Sequence, residues 1–318
     1  MNKNRLEKIS LVVPCYNEEE ALPFFYKAFD KFSKEMKKDV VFECLFINDG
    51  SKDKTLDVIL KLAKKDERIK YISFSRNFGK EAAMYAGLEK AIGDYVTIVD
   101  ADLQDPLEMI KEMYDAIKKE GYDCVGARRF SREGEPVIRS VFANLFYKLI
   151  NQFSSTKVVN GARDFRLMTR QMVDSILRLK EYNRFSKGLF PFVGYKTKWL
   201  EYKNVERVAG ATSWSFWGLF KYSLEGILAF STAPLRLASI LGLTICASSF
   251  LFVFYTFVRT LIYGNPVAGY PTLTCIIGFL GGIQLFCMGI LGEYIAKIYT
   301  EIKNRPIYIV KDTNVKDN

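Results

Sequence analysis

Histidine is absent from this chain of 318 residues. Histidine metal sites, Ser-His-Asp triads and histidine general bases are therefore excluded. Any chemistry has to depend on aspartate, glutamate, lysine, arginine, tyrosine or a bound metal. Cysteine is sparse as well: there are six, none of them in a CxxC pair, and the last three lie in strongly apolar segments. This pattern indicates reduced, buried thiols.

Other common signatures are missing too. No GxGxxG or GxxxxGK[ST] string is present, so neither a Rossmann dinucleotide site nor a P-loop is predicted. The net charge is +10, but basic and acidic residues are interspersed, so we expect no nucleic-acid partner and attribute the excess to an anionic membrane surface. No apolar run follows the polar first eight residues, which predicts no secretory signal and a cytoplasmic first domain.

Two long uncharged runs lie near the C-terminus, at 237–258 and at about 273–291. The first has 22 residues and would be about 33 Å long as a helix, which matches a bilayer core. Two buried core helices are the alternative, but neither run has a polar face. The sequence therefore predicts a multi-pass membrane protein with two spans.

Lysine and arginine are distributed unevenly around these runs. Residues 262–272 carry none, whereas Lys297, Lys303 and Arg305 follow the second run. Because cytoplasmic flanks are enriched in basic residues, we expect an external loop between the spans and both termini in the cytoplasm.

The first part of the chain alternates short apolar runs with amphipathic ones. The predicted strands are 9–13, 40–47, 71–74, 95–99 and 123–126, and the predicted helices are 19–37, 55–65, 81–92 and 107–119. Such alternation predicts an α/β fold with a mostly parallel, Rossmann-like sheet and a ligand site at the carboxyl ends of its strands.

Two carboxylates one residue apart, Asp100 and Asp102, follow the fourth predicted strand. At the mouth of a buried strand they cannot both ionise cheaply without a nearby cation. With Gln104 they form an oxygen-only set that suits Mg²⁺ or Mn²⁺ carrying a diphosphate. A solvated turn after a strand is the alternative.

Three further motifs fall at strand ends. Residues 14–18 follow the first strand, 48–51 the second and 76–80 the third. Residues 48–51 are also good turn and helix-capping chemistry, but Asp49 could accept hydrogen bonds from a nucleobase or ribose. Gly79 beside Lys80 suits a phosphate. Four motifs on one rim favour a nucleotide-diphosphate site over four independent turns.

Together these motifs resemble the family 2 glycosyltransferases of the GT-A fold, specifically the polyprenyl-phosphate glycosyltransferases that include dolichyl-phosphate mannose synthases and bactoprenol glucosyltransferases. The resemblance covers about residues 9–305. It rests on the strings VPCYNE at 13–18, NDGS at 48–51, RNFGK at 76–80, DADLQDP at 100–106 and DFRLM at 164–168. One departure is Ser213-Trp214, where many relatives carry a Ser-Lys pair.

The resemblance implies four segments. They are a cytoplasmic GT-A domain at 1–212, a juxtamembrane interfacial helix at 213–232, two transmembrane helices with a short external loop at 233–295, and a cytoplasmic tail at 296–318. A further amphipathic helix is predicted at 142–153, and the aromatic residues of 214–230 fit an interfacial belt.

The implied activity is transfer of one sugar, glucose or N-acetylglucosamine, from a UDP-sugar to undecaprenyl phosphate, with inversion. The expected site residues divide by role. Donor binding falls to Pro14, Tyr16, Glu18, Asp49, Lys80, Asp100 and Asp102; the metal to Asp100, Asp102 and Gln104; catalysis to Asp102 and Asp164; and the acceptor phosphate to Arg128, Arg139 and Arg207.

Two other readings stay open at this point. One is a GDP-mannose-dependent polyprenyl-phosphate mannose synthase. The other is a catalytically silent membrane scaffold that binds a nucleotide-sugar, although a scaffold does not need a metal site. The lipid bilayer, a flippase and a second copy of the chain are the further expected partners.

Overall fold

The computed structural model describes residues 5–129, 159, 161–202, 233–263 and 269–316. An eight-stranded sheet has the order β7-β5-β6-β4-β1-β2-β3-β8. The strands are β1 Glu7–Cys15, β2 Val40–Asn48, β3 Ile69–Phe74, β4 Tyr95–Ile98, β5 Cys124–Arg129, β6 Ala162–Thr169, β7 Thr197–Tyr202 and β8 Val310–Thr313. The helices are α1 Leu22–Glu35, α2 Thr55–Lys65, α3 Lys80–Lys90, α4 Met109–Glu120, α5 Arg170–Leu177, α6 Ser186–Phe192, α7 Ala233–Tyr263 and α8 Tyr270–Ile302.

The first four strands form a parallel block at the centre of the sheet, and β5 and β7 also pair in parallel. β1 pairs with β2 and β4, and β2 pairs with β3, all in parallel. Their apolar runs are buried because helices cover both faces, as for Phe25 on α1, which meets Phe46 on β2 edge to face at 5.8 Å. The predicted alternation of strands and helices and the mostly parallel sheet are confirmed.

β6 is the main departure from the predicted sheet. It lies between β4 and β5 and runs antiparallel to both. The sequence treats residues 164–168 only as a motif, but here they form a strand. The register pairs Ile98 with Arg166, and two further steps bring Asp100 opposite Asp164. The antiparallel strand therefore delivers its first residues to the edge where β4 ends.

The two long C-terminal helices lie side by side. The Cys287 thiol on α8 is 3.7 Å from the carbonyl oxygen of Ala238 on α7. Within the described residues, one segment, Phe279–Ile302, is long and apolar enough to cross a membrane, and a shorter apolar segment is Ala238–Phe252. Two helices thus occupy the predicted positions, whereas two spans stay a prediction.

After α8 the chain returns to the sheet. β8 pairs antiparallel with β3, and the Tyr308 ring stacks on Phe74 with centroids 4.9 Å apart. The Ser75 N–H donates to the carbonyl of Ile309 at 3.0 Å. Part of the segment predicted as a tail, 296–318, is therefore an edge strand of the sheet and the end of α8.

Candidate active site

The loops after β1 and β2 are bound to each other at the carboxyl edge. The Asn17 N–H donates to Ser51 Oγ at 3.0 Å, and the Lys52 N–H donates to Asn17 Oδ1 at 2.8 Å. Asn17 has a φ of 56°, a value that asparagine tolerates better than most residues. These bonds fix the backbone beside Tyr16, which is 39% exposed.

Glu18 lies in the same pair of loops, and Pro14 lies before them within β1. The Glu18 N–H donates to Thr55 Oγ1 at 2.8 Å, and its carbonyl accepts the first N–H groups of the α1 turn. Pro14 is paired with Ile47 in the β1–β2 register. The structure therefore brings Pro14, Tyr16 and Glu18 to the predicted edge, and their contact with a donor stays a prediction.

Asp49 follows β2 and is 3% exposed. Its Oδ1 accepts the Phe78 N–H at 2.6 Å, and its Oδ2 accepts the Gly79 N–H at 2.9 Å. Burial raises the pKa of Asp49, and the two N–H bonds oppose that rise. The carboxylate thus holds the loop before α3 in place. Its predicted contact with a nucleobase or ribose is a separate role that stays a prediction.

Lys80 joins the carboxylates that end β4 and begin β6. Its Nζ lies 2.6 Å from Asp100 Oδ1 and 3.0 Å from Asp164 Oδ2. Burial by itself lowers the pKa of Lys80, but these two carboxylates outweigh it and hold that pKa above its ordinary value. A lysine ammonium therefore lies beside Asp100, and the metal predicted at this carboxylate stays a prediction.

Asp164 is held as an anion. Burial by itself raises its pKa, but the ammonium groups of Lys80 and Lys187 hold that pKa well below its usual range. A carboxylate of such low basicity is a poor general base near neutral pH. Its charge and lone pairs remain suited to orienting a neighbouring group.

A second cation, Arg163, lies on the other side of Asp100. Its Nη2 is 4.0 Å from Asp100 Oδ2, and its Nε donates to Asp105 Oδ1 at 3.3 Å. Asp105 is 1% exposed and also accepts the Tyr202 hydroxyl at 2.6 Å. Burial raises the pKa of Asp105, with Arg163 opposing that rise. Arg163 thus ties β6 to the loop after β4.

Asp102 and Gln104 lie in the same loop. Asp102 is 7% exposed, and its Oδ1 accepts the Gln104 N–H at 3.1 Å. The side-chain oxygen of Gln104 accepts a bond from Arg163 Nη2 at 3.5 Å. Leu103 between them has a φ of 56°, a strained value for leucine. The loop therefore keeps both predicted ligands at the rim beside Asp100.

The oxygen atoms of Asp100, Asp102 and Gln104 suit a hard divalent cation as ligands. Among the residues that the structure describes, no group of three or more aspartate, glutamate or cysteine side chains is arranged to hold a metal. Mg²⁺ does not require one, because proteins commonly bind it through one or two carboxylates together with substrate phosphates and water. Asp100, Asp102 and the Gln104 amide oxygen meet that requirement.

The three arginines predicted to bind the acceptor phosphate are only partly covered. Arg128 lies on β5 and pairs with Glu201 on β7. Arg139 and Arg207 fall outside the described residues. The structure therefore locates one of the three at the sheet edge, and their shared role stays a prediction.

Sequence reasoning missed several residues of this site. Arg163 could have been found, because it stands next to Asp164 in the DFRLM region. Tyr202 and Ser186, which bonds to Glu81, lie far along the chain from their partners. No local pattern marks such pairs.

Comparison with known proteins identifies the family of this chain. The family model for glycosyl transferase family 2 matches residues 10–177, and the model for the GtrB C-terminal hairpin matches 233–298. The SfII prophage-derived bactoprenol glucosyl transferase of Shigella flexneri is 48% identical over 96% of this chain and 98% of its own length. The bactoprenol glucosyl transferase of Shigella phage SfV is 47% identical over 97% of this chain and 100% of its own.

More distant proteins are similar as well. The putative glycosyltransferase CsbB of Bacillus subtilis is 45% identical over 96% of this chain and 92% of its own length. A mannosyltransferase from Pyrobaculum calidifontis, solved in complex with GDP-Man and Mn²⁺, is 15% identical over 95% of this chain and 77% of its own, with a TM-score of 0.46. From the family model and the curated relatives, this chain belongs to glycosyl transferase family 2 and is a glycosyltransferase with a C-terminal hairpin of the GtrB type.

Proposed function

We propose that this enzyme transfers one glucose from UDP-glucose to a polyprenyl phosphate at the cytoplasmic face of the membrane, with inversion at the sugar carbon. The observation that carries the proposal is the Asp100–Lys80–Asp164 cluster at the carboxyl edge of the sheet. It occurs in a chain whose relatives, aligned over nearly their whole length, are named bactoprenol glucosyl transferases. Those names favour glucose over N-acetylglucosamine.

On the donor side, Asp100, Asp102 and Gln104 would hold Mg²⁺ or Mn²⁺. Such a metal, when bound, neutralises charge on the departing nucleoside diphosphate. The chain's own part is positional: bonds between the loops after β1 and β2 keep Tyr16 and Glu18 at the rim, and Asp49 fixes the loop that precedes Lys80.

On the acceptor side, a strong base is unnecessary. A phosphate monoester is largely dianionic near pH 7, since its second pKa is about 6, so its oxygen is already a nucleophile. Asp164, kept anionic beside Lys80, would orient the reacting groups and would not remove a proton. Arg128, Arg139 and Arg207 are the proposed partners of the acceptor phosphate, since guanidinium groups bind phosphate bidentately.

The sheet also supports the proposed membrane topology. β7 and β8 belong to one sheet, yet the apolar helices α7 and α8 lie between them in sequence. The number of membrane crossings between Tyr202 and Val310, if there are any, is therefore even. Two crossings, by α7 and α8, meet this condition. The proposed cytoplasmic side rests on the basic residues that follow the second apolar run, Lys297, Lys303 and Arg305.

Lipid extraction after incubation with labelled donors tests the activity. Membranes containing the protein are given polyprenyl phosphate and labelled UDP-glucose, UDP-N-acetylglucosamine or GDP-mannose in separate reactions. We expect label in the lipid fraction from UDP-glucose, and none when the phosphate-free polyprenol replaces the acceptor. Label in the lipid fraction from GDP-mannose only, or no lipid label from any of the three donors, would contradict the proposal.

A thiol placed at Asn265, between the two helices, tests the topology. A membrane-impermeant maleimide should label it in intact cells, whereas a thiol at exposed Lys61 on α2 should react only after lysis. The reverse pattern would put the donor site on the wrong side of the membrane.

A further inference from the structure

A short segment, residues 178–187, connects the end of α8 to the active site; it is called the strap below. At one end of the strap, the Tyr182 N–H donates to the carboxylate of Glu301 at 3.1 Å. The Asn183 side-chain amide donates to Thr300 Oγ1 at 2.9 Å. Glu301 and Thr300 lie in the last turn of α8. The strap therefore rests on the helix that carries the candidate membrane span.

The other end of the strap is bound beside the reactive cluster. The Ser186 N–H lies 3.1 Å from both oxygens of Glu81, and the Ser186 hydroxyl also donates to that carboxylate. Glu81 follows Lys80, whose ammonium contacts Asp100 and Asp164. About half a dozen residues of the strap thus join the end of α8 to the rim of the site.

The strap has four basic residues: Arg178 and Lys180 are exposed, whereas Arg184 and Lys187 are partly buried. The two partly buried ones differ in their contacts. The Arg184 guanidinium lies 4.5 Å from the centre of the Tyr85 ring and donates to the Leu179 carbonyl. Lys187 is partly buried and forms no hydrogen bond or ion pair with any residue that the structure describes. Lys187 directly follows Ser186, which is bonded to Glu81 at the rim of the site. Its charge lowers the pKa of Asp164. Lys187 is therefore the partly buried strap cation with capacity for an outside anion.

We propose that Lys187 binds the phosphate of the lipid acceptor and holds it against Asp164. The inference rests on the proposed function and adds a residue outside the three predicted arginines. A lipid whose chain lies along α8 presents its phosphate where that helix ends, which is the level of Thr300, Glu301 and the strap. The phosphate must then approach anionic Asp164, and a cation between the two offsets their repulsion.

Steady-state kinetics of the full-length protein in one detergent at one salt concentration test the proposal. Lys187→Met should raise the apparent KM for polyprenyl phosphate by roughly tenfold or more, the usual size of one lost charge-assisted bond. The KM for UDP-glucose should change less than about twofold, and Lys187→Arg should recover most of the acceptor affinity. Lys180→Met is the matched control, because Lys180 is an exposed lysine of the same strap.

Three results would overturn the proposal. They are an unchanged acceptor KM in Lys187→Met, a rise in the donor KM alone, or an equal rise in Lys180→Met, which would indicate general surface attraction. The melting temperature of each variant is measured in parallel, and Lys187→Gln replaces Lys187→Met if the latter does not fold.

Equilibrium binding separates this proposal from the proposed function. Labelled polyprenyl phosphate is bound to wild type and to Lys187→Met, with polyprenol and inorganic phosphate as competitors. Loss of binding in the variant, with competition by neither compound alone, supports Lys187 even if no sugar transfer is found. Equal binding by both proteins refutes the Lys187 site even if the enzyme is a polyprenyl-phosphate glucosyltransferase.

Discussion

The ends of β2 and β4 carry the same residue type at the same edge of the sheet, yet their aspartates have different partners. Asp49, after β2, receives two backbone N–H groups at 2.6 and 2.9 Å. Asp100, after β4, is paired with the side-chain ammonium of Lys80 at 2.6 Å, and the Arg163 guanidinium lies 4.0 Å away. Backbone partners cannot leave without unfolding the loop, whereas side-chain cations can rotate away.

This difference separates a carboxylate that builds the site from one that can exchange its partner. Asp49 binds Phe78 and Gly79, and α3 begins at the next residue, Lys80. The first carboxylate therefore positions the lysine that neutralises the second. Gly50, next to Asp49, packs closely against the same loop. A Cβ at this position would lie 2.4 Å from the backbone carbon of Arg76, which is too close for any other residue.

Metal removal should have the largest effect on sugar transfer, because it acts on Asp100, the carboxylate whose partner can exchange. If Asp100 gives up Lys80 for a divalent cation when the donor binds, excess EDTA should abolish sugar transfer, and Mg²⁺ or Mn²⁺ should restore it. Initial rates of lipid glucosylation measure this. A zinc-selective chelator is the control. Full turnover in EDTA would mean that Lys80 and Arg163 neutralise the site without a metal.

Asp164→Asn should come next, with a fall in turnover of about a hundredfold, by analogy with the loss of one preorganised electrostatic group. The substitution keeps the shape but removes the charge that faces Lys80 at 3.0 Å. Asp39→Asn, in an exposed turn before β2, is the matched control. Wild-type turnover in Asp164→Asn would show that the carboxylate of Asp164, like that of Asp49, has a structural role only.

Local patterns predicted the first half of the sheet better than the strands that follow β5. The strands and helices of the first half were predicted because their apolar periodicity is regular. The strand-end motifs singled out Asp49, Lys80 and Asp100, whereas Asp164 was named only from the family resemblance. The sequence did not predict β6, β7 or β8. In the sequence, the charged residues of β6, which are Arg163, Asp164 and Arg166, are typical of a solvated face. Arg166 is only 3% exposed, because its guanidinium lies 3.8 Å from the centre of the Phe190 ring and it donates to the Arg163 carbonyl.

The partners of the site residues were the other thing that no local pattern could supply. Glu81 and Ser186 are 105 residues apart in sequence, and Tyr71 and Asp312 are 241 apart. Both contacts depend on how α6 and β8 return to the sheet. The cation beside Asp100 is a further example, because periodicity does not reveal that Lys80, from a different motif, lies against Asp100.

The smallest effect is expected at Asp49, and it should be an effect on stability. Asp49→Ala leaves the Phe78 and Gly79 N–H groups without their acceptor in a buried place, which costs about 1–3 kcal/mol for each unsatisfied group. Asp49→Asn keeps one acceptor oxygen and should cost less. Denaturant unfolding of the protein in detergent measures both free energies, with Asp39→Ala as an exposed control expected within about 0.5 kcal/mol of wild type.

The folded fraction of Asp49→Asn should retain more turnover than Asp164→Asn, because Lys80 would still reach both of its carboxylates. If Asp49→Asn is as stable as wild type and as inactive as Asp164→Asn, then Asp49 acts on the donor directly and the division between building and exchangeable carboxylates is wrong.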